Sequence, residues 1–213
     1  MQYIIMCGGT YKLWEEPRQF TIIHGEKLIE RTIRQLREHG IRNEQIAISS
    51  NDDRFAEFGV QLLKHENSYV ANGVGNTTGH WCDCFYMTSA PTCYLFGDVV
   101  FSDEAISTII NTDTYDIEFF ASAPPFSDKY CKEYAEPFAL KVFNQQHFHR
   151  AIRTVKVYTE ENQFARKPIM WEVWQVIKNT PINCINFSNY IAINDYTCDI
   201  DAPEDIDKIL ANM

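Results

Sequence analysis

The residues best suited to chemistry lie near the start, the middle and the end of the chain. Gly8-Gly9-Thr10-Tyr11-Lys12 places two glycines where main-chain amides can approach phosphate oxygens, with a cation three residues beyond Gly9. Arg18, directly after Pro17, offers a second cation. Taken alone, a glycine pair reads more readily as a tight turn. Gly97-Asp98 ends an apolar run, so a carboxylate stands at a strand's C-terminal end, and Asp199 and Asp201 follow far downstream. A small anionic substrate needs only a few well-placed cations.

The elements that must position them follow from periodicity. Tyr3 to Cys7 reads as a short buried strand running into the glycine loop. Leu28, Ile29, Ile33 and Leu36 recur at helical spacing between Lys27 and His39, and Gly40 closes that helix. Gln45 to Ser49 reads as a strand, Asn51-Asp52-Asp53 as a turn and cap, and Arg54 to Phe58 as a short helix. Thr92 to Phe96 repeats the strand pattern before Asp98, and a helix follows from Asp103 to Ile110. Ile117 to Ser122 and Phe138 to Phe143 read as further strands, His147 to Ala151 as the start of a helix, and Ile169 to Lys178 as another helix. Pro203 lies in the first turn of a last helix to Leu210, capped by Asp201 or Ala202. This alternation predicts an α/β fold of three layers, α/β/α, with a mainly parallel mixed sheet. Ligands of such sheets collect at the carboxyl ends of the strands.

With 213 residues, 45% of them hydrophobic, the expectation is one domain over 1–213. Its seven cysteines, without a CxxC pair or an apolar leader, fit a reduced, cytoplasmic setting. No apolar run approaches the roughly 20 residues of a membrane span, so no membrane partner is expected. A formal charge of −10 argues against a nucleic-acid partner, which demands a concentrated basic face. The 14% aromatic content allows a modest homodimer contact.

Several segments, in order, resemble the sugar-phosphate nucleotidyltransferase superfamily. The opening strand and Gly-Gly loop are similar to its A-A-G or A-G-G signature, and Pro17-Arg18-Gln19-Phe20 resembles the P-K-Q-F variant of the methylerythritol-phosphate cytidylyltransferases. His24-Gly25-Glu26-Lys27-Leu28-Ile29-Glu30 is similar to the G-K-P-L-I-E segment, Gly97-Asp98 to the G-D strand end, and Ile200-Asp201-Ala202-Pro203-Glu204-Asp205-Ile206 to the I-D-T-P-E-D-L ending. The resemblance implies a Rossmann-like, GT-A-like fold, with residues 1–116 binding a nucleoside triphosphate and 117–213 binding a small phosphorylated acceptor. It implies Mg2+ held by Asp98 and Asp201, with Asp199 as an additional ligand, and catalytic roles for Lys12 and Arg18. It further implies phosphate contacts from Cys7, Gly8, Gly9 and Thr10. The expected reaction moves a nucleoside monophosphate from CTP, or next UTP, onto a sugar, polyol or amino-alcohol phosphate, as in small cytidylyltransferases serving surface-polymer pathways.

The chemistry is sound apart from the name. A hard divalent cation takes oxygen ligands, and one or two carboxylates plus phosphate oxygens complete its shell. Attack by one anion on another rests on charge neutralisation and alignment. The chain departs from the family in a shortened loop before Pro17 and in Arg18 for the usual Lys, a forked contact in place of a point charge.

Other residues carry paired readings. Thr78-Gly79-His80 resembles the G-T-G-H turn of the N-acetylglucosamine-phosphate uridylyltransferases, so Asn76, Thr78 and Gly79 are candidate base contacts or a helix-capping turn. Lys141 is a candidate acceptor contact or a surface lysine, and Trp171, with Trp174 and Met170, lines an acceptor pocket or fills the core. His80, Cys82 and Cys84 are poorly spaced for a shared zinc, and His147 and His149 have no partner in the local sequence. A metal-dependent glycosyltransferase and a non-catalytic nucleotide-binding module are the alternatives.

Overall fold

The computed structural model describes residues 1–8, 13–64, 81–124, 134–184 and 186–213. Its elements, in chain order, are β1 (Gln2–Met6), a small hairpin of β2 (Ile22–Ile23) and β3 (Glu26–Lys27), α1 (Leu28–Glu38), β4 (Ile46–Ser49) and β5 (Gln61–Leu63). There follow β6 (Thr92–Phe96), β7 (Val99–Val100), α2 (Asp103–Asn111), β8 (Ile117–Ser122), β9 (Pro137–Val142), α3 (Gln145–Glu160), α4 (Met170–Ile177), β10 (Ile191–Ile193), β11 (Cys198–Asp199) and α5 (Pro203–Leu210).

Seven strands make one sheet in the order β10-β8-β9-β6-β1-β4-β5. All its pairings are parallel except the two that β9 makes with β6 and β8. Strand periodicity divides the side chains between two cores. From β1, Ile4 and Met6 join α3 and α4 on one face, whereas Tyr3, Ile5 and Cys7 join α1 and α2 on the other. This is the expected three-layer, mainly parallel mixed sheet. A third cluster of Ile23, Leu28, Val100, Cys198, Ile200 and Ile209 docks α5 and the β7–β11 ribbon against the start of α1.

Local signals explain the boundaries. Gly40, at φ +82°, continues beyond the end of α1 in a conformation that few other residues adopt, and its amide donates to the Arg37 carbonyl at 2.9 Å. Pro203 occupies the first turn of α5, and the Asp205 carboxylate accepts the amides of Asp201 and Ala202 at 3.1 and 3.0 Å. Among the described residues, no helix is long and apolar enough to cross a membrane.

Two residues considered for acceptor contact have structural work elsewhere. Lys141 is buried in β9 in register with Cys93, near the end of β6 opposite to Asp98. Its Nζ donates to the carbonyls of Ile109, Ile110 and Thr112 at 2.9, 2.8 and 2.6 Å, closing the C-terminus of α2, where a cation complements the helix dipole. Trp171 is fully buried; its Nε1 donates to the Ala135 carbonyl at 2.8 Å and its ring meets Phe119, Phe187 and Tyr190 edge-on. The helical aromatic stripe is therefore core.

Lys141→Met keeps the volume but strips three carbonyls of their donor, and should lower stability by about 2–3 kcal/mol in urea unfolding. Burial raises the Cys93 and Cys82 thiols from the ordinary 9.0 to about 12. The unfolded chain thus releases these protons first, so stability present below pH 9 is lost between pH 9 and about 12, at roughly 1.4 kcal/mol per pH unit for each thiol. Unfolding midpoints measured across that range should fall less steeply in Cys93→Ala.

Candidate active site

β1 and β6 lie side by side, Met6 opposite Phe96, so their carboxyl ends deliver Cys7-Gly8 and Gly97-Asp98 to one edge of the sheet. From β1 the chain proceeds outward through β4 and β5, then returns to the other side of β1 as β6. That reversal makes a crevice at the strand ends, the usual ligand position in such sheets. Gly97 is what allows the close join. Its amide donates to the Met6 carbonyl at 3.0 Å, and a Cβ added there would stand 2.6 Å from that oxygen and 2.7 Å from Cys7 Sγ. No larger residue fits without moving the main chain.

The C-terminal segment completes the site through the β7–β11 ribbon, where Val99 pairs with Asp199 and Val100 with Cys198 in antiparallel register. The Ile200 amide donates to the Asp98 carbonyl at 2.9 Å, so Asp201 follows directly at the same edge. The segment before Arg18 grips it from the other side: Trp14 Nε1 donates to the Asp201 carbonyl at 3.2 Å.

Arg18 lies where these segments meet. Its Nη2 is 2.6 Å from Asp98 Oδ2, and its Nη1 is 3.2 Å from Asp201 Oδ1 and donates to the Ile200 carbonyl at 3.1 Å. The two distant carboxylates therefore converge on one guanidinium. Burial alone would lower the Arg18 pKa, but the charges of Asp98, Asp201 and Asp199 outweigh it and raise it, so the group stays cationic. Cys7, fully buried beside this cluster, has its thiol pushed well up, first by burial and then by Asp98, with Arg18 partly offsetting both. That thiol is a packed residue of the site's floor and not a nucleophile.

Asp199 is different in kind from Asp201. It is buried, its Oδ1 faces the Cys198 thiol at 3.7 Å, and Asp201 is exposed. Among the described residues, no group of three or more His, Cys, Asp or Glu side chains could hold a metal ion unaided. The donor set offered by Asp98 and Asp201 still fits a hard cation whose remaining ligands come from phosphate and water.

Gly8 lies at the site with Cys7. Gly9, Thr10 and Lys12, and Asn76, Thr78 and Gly79, fall outside the described residues, as does His80. Lys141 and Trp171 are not brought to the carboxylates. Trp14 and the Ile200 carbonyl are site elements that sequence reasoning missed; a lone Trp and a main-chain oxygen carry no pattern by which to find them. His147, unpaired in the local sequence, holds the Asp116 carboxylate through Nδ1 at 2.8 Å, away from this edge.

No family profile matches the chain, and no curated protein matches it in sequence. Solved structures do match. The chain is similar over 99% of its length to the inositol-1-phosphate CTP transferase from T. maritima, with 16% identity, 95% of that chain covered and a TM-score of 0.60. It is similar over 99% of its length to molybdopterin-guanine dinucleotide biosynthesis protein A from Archaeoglobus fulgidus, with 9% identity, 97% of that chain covered and a TM-score of 0.57. The CTP:phosphocholine cytidylyltransferase from Streptococcus pneumoniae matches over 99% of this chain and 97% of its own, with 15% identity and a TM-score of 0.53. The chain thus has the fold of the sugar-phosphate nucleotidyltransferases.

Proposed function

We propose that this chain is a Mg2+-dependent nucleotidyltransferase that moves a nucleoside monophosphate from CTP, or next UTP, onto a small phosphorylated acceptor, with pyrophosphate as leaving group. The observation that carries this reading is the meeting of Asp98 and Asp201 at the Arg18 guanidinium beside Gly8. Residues 1–213 act as one domain in it, with 1–116 holding the triphosphate and 117–213 the acceptor and the second aspartate.

Asp98 and Asp201 would hold the magnesium ion, which when bound neutralises phosphate charge and polarises the reacting phosphorus. Asp199, buried next to this cluster, is the additional ligand in this reading and adds to the negative potential that Arg18 meets. The Gly8-Gly9 amides approach phosphate oxygens, and Lys12 and Arg18 balance charge that builds on the leaving pyrophosphate. An acceptor phosphate oxygen forms the new bond to the α-phosphorus as the bond to the β-phosphate oxygen breaks. No side-chain base is needed, because a phosphate monoester of pKa about 6 is already ionised at neutral pH.

The acceptor side is supported by what the sheet presents beyond β6. β8 ends at Ser122, whose hydroxyl accepts the Glu136 amide at 2.8 Å and whose carbonyl accepts the Tyr190 hydroxyl at 3.1 Å. Because β9 is antiparallel, its N-terminal end opens at the same edge as the C-terminal ends of β6 and β8. CTP transfer by two of the structural neighbours favours cytidine for this chain, with Asn76, Thr78 and Gly79 as base contacts.

The test is pyrophosphate release from the four triphosphates, each offered sugar, polyol and amino-alcohol phosphates with Mg2+. At least one pair should turn over, and Asp98→Asn and Asp201→Asn should each lose about 100-fold or more in kcat while remaining folded. Triphosphate binding without turnover on any acceptor would instead mark a binding module, and full activity in Asp98→Asn would remove the proposed site.

A further inference from the structure

Arg18 divides its guanidinium between the two carboxylates. One terminal nitrogen reaches Asp98 at 2.6 Å; the other reaches Asp201 at 3.2 Å and the Ile200 carbonyl at 3.1 Å. Such a division needs two nitrogens held apart in a plane, which an ammonium lacks. The guanidinium occupies the space onto which both carboxylates face. Its Nε is buried and has no hydrogen-bond partner.

We propose that Arg18 is the resident counter-ion of the Asp98–Asp201 pair, which it holds together until a divalent cation arrives with a polyphosphate, and that it then moves its contacts to phosphate oxygens. This rests on the nucleotidyl-transfer reading above. Three points carry it. A guanidinium does not lose its proton, so it can release the carboxylates only by moving. Its new position must offer negative charge, and a polyphosphate supplies forked oxygen acceptors that match it. Finally, Arg18 is tied at its tip to both carboxylates and to Ile200, while its own backbone belongs to the segment that follows the glycine loop.

The consequence is a coupling. A free divalent ion must displace Arg18 with no anion to receive it, whereas the same ion entering with a polyphosphate brings phosphate oxygens that take up the displaced guanidinium. Metal and polyphosphate thus strengthen each other's binding by the same factor. Metal alone binds weakly, and the site remains braced without it.

The experiment measures Mn2+ alone by electron paramagnetic resonance of the free ion, and the metal-dependent shift in Tm, for the wild-type protein, Arg18→Gln, Arg18→Lys and Asp98→Asn. Binding of α,β-methylene-CTP with and without Mn2+ completes the set. Arg18→Gln should bind Mn2+ alone about tenfold or more tightly than wild type, because two carboxylates face the ion without a competing charge. Its Tm should be lower without metal and rise by several degrees with it, while the wild-type Tm barely moves. Arg18→Lys should fall between the two, which keeps the idea testable if the glutamine variant does not fold. The gain from Mn2+ in binding the analogue should shrink in both variants. If Arg18→Gln or Arg18→Lys binds Mn2+ no better than wild type, or worse, Arg18 is a fixed clamp and the inference is overturned. In that case Mn2+ that still enters with the analogue, and is lost in Asp98→Asn, leaves the nucleotidyl-transfer reading intact. If Mn2+ never depends on Asp98, that reading fails with it.

Discussion

Two ionised carboxylates that share a small, partly enclosed space need a positive charge close by to offset their repulsion. Like charges a few ångströms apart in a medium less polar than water repel by several kcal/mol. In this protein the positive group is Arg18, and the site is arranged around that necessity. Asp98 comes from the end of a central strand and Asp201 from the approach to the last helix. The guanidinium between them offsets the repulsion that their approach would otherwise cost. The Ile200 carbonyl adds a third acceptor, so the same cation secures the main chain of the C-terminal segment as well as its side chain.

The rest of the fold makes that meeting possible. β1 and β6 are neighbours in parallel, so the glycine loop and Asp98 leave the sheet together. Gly97 lets the second strand end press against the first at a distance that a side chain would forbid. The β7–β11 ribbon then carries the C-terminal segment across to Asp98, and the burial of Val100, Cys198, Ile200 and Ile209 in a small apolar cluster gives the crossing its stability. The site therefore depends on packing in a part of the molecule that contains no reactive group. The crevice lies at the reversal of strand order, where helices on both faces leave the strand ends open to ligand.

Much of this was legible in the chain. Strands with apolar runs ending in Gly8 and Gly97, and most helices with apolar residues at three- and four-residue spacing, are legible within one or two residues, because periodicity and caps are local properties. Of α3, only the start is legible, and its course to Glu160 is not. The start of α5 was evident from Ala202-Pro203 and the acids that follow. Short elements were not: β2, β3, β7 and β11 have two residues each, and β5 and β10 three. Such segments are strands only because a neighbour supplies hydrogen-bond partners. Lys141 and Trp171 illustrate the same limit. A lysine in a strand and an aromatic on a helix look alike in sequence whether they face a ligand, a helix end or the core. Here the three carbonyls at the end of α2 claim one, and the ring cluster around Phe119 and Phe187 encloses the other.

By itself, the sequence determined the layered α/β class, the order of the main elements and the residue types available for phosphate chemistry, since each of these is encoded within a window of a few residues. Tertiary structure alone decided that Asp98 and Asp201 share one guanidinium, that Asp199 is buried while Asp201 is exposed, and that Gly97 must lack a side chain. Those facts concern distances between segments far apart in the chain. Such distances are set by strand order and by burial of a common core, and no local pattern records them.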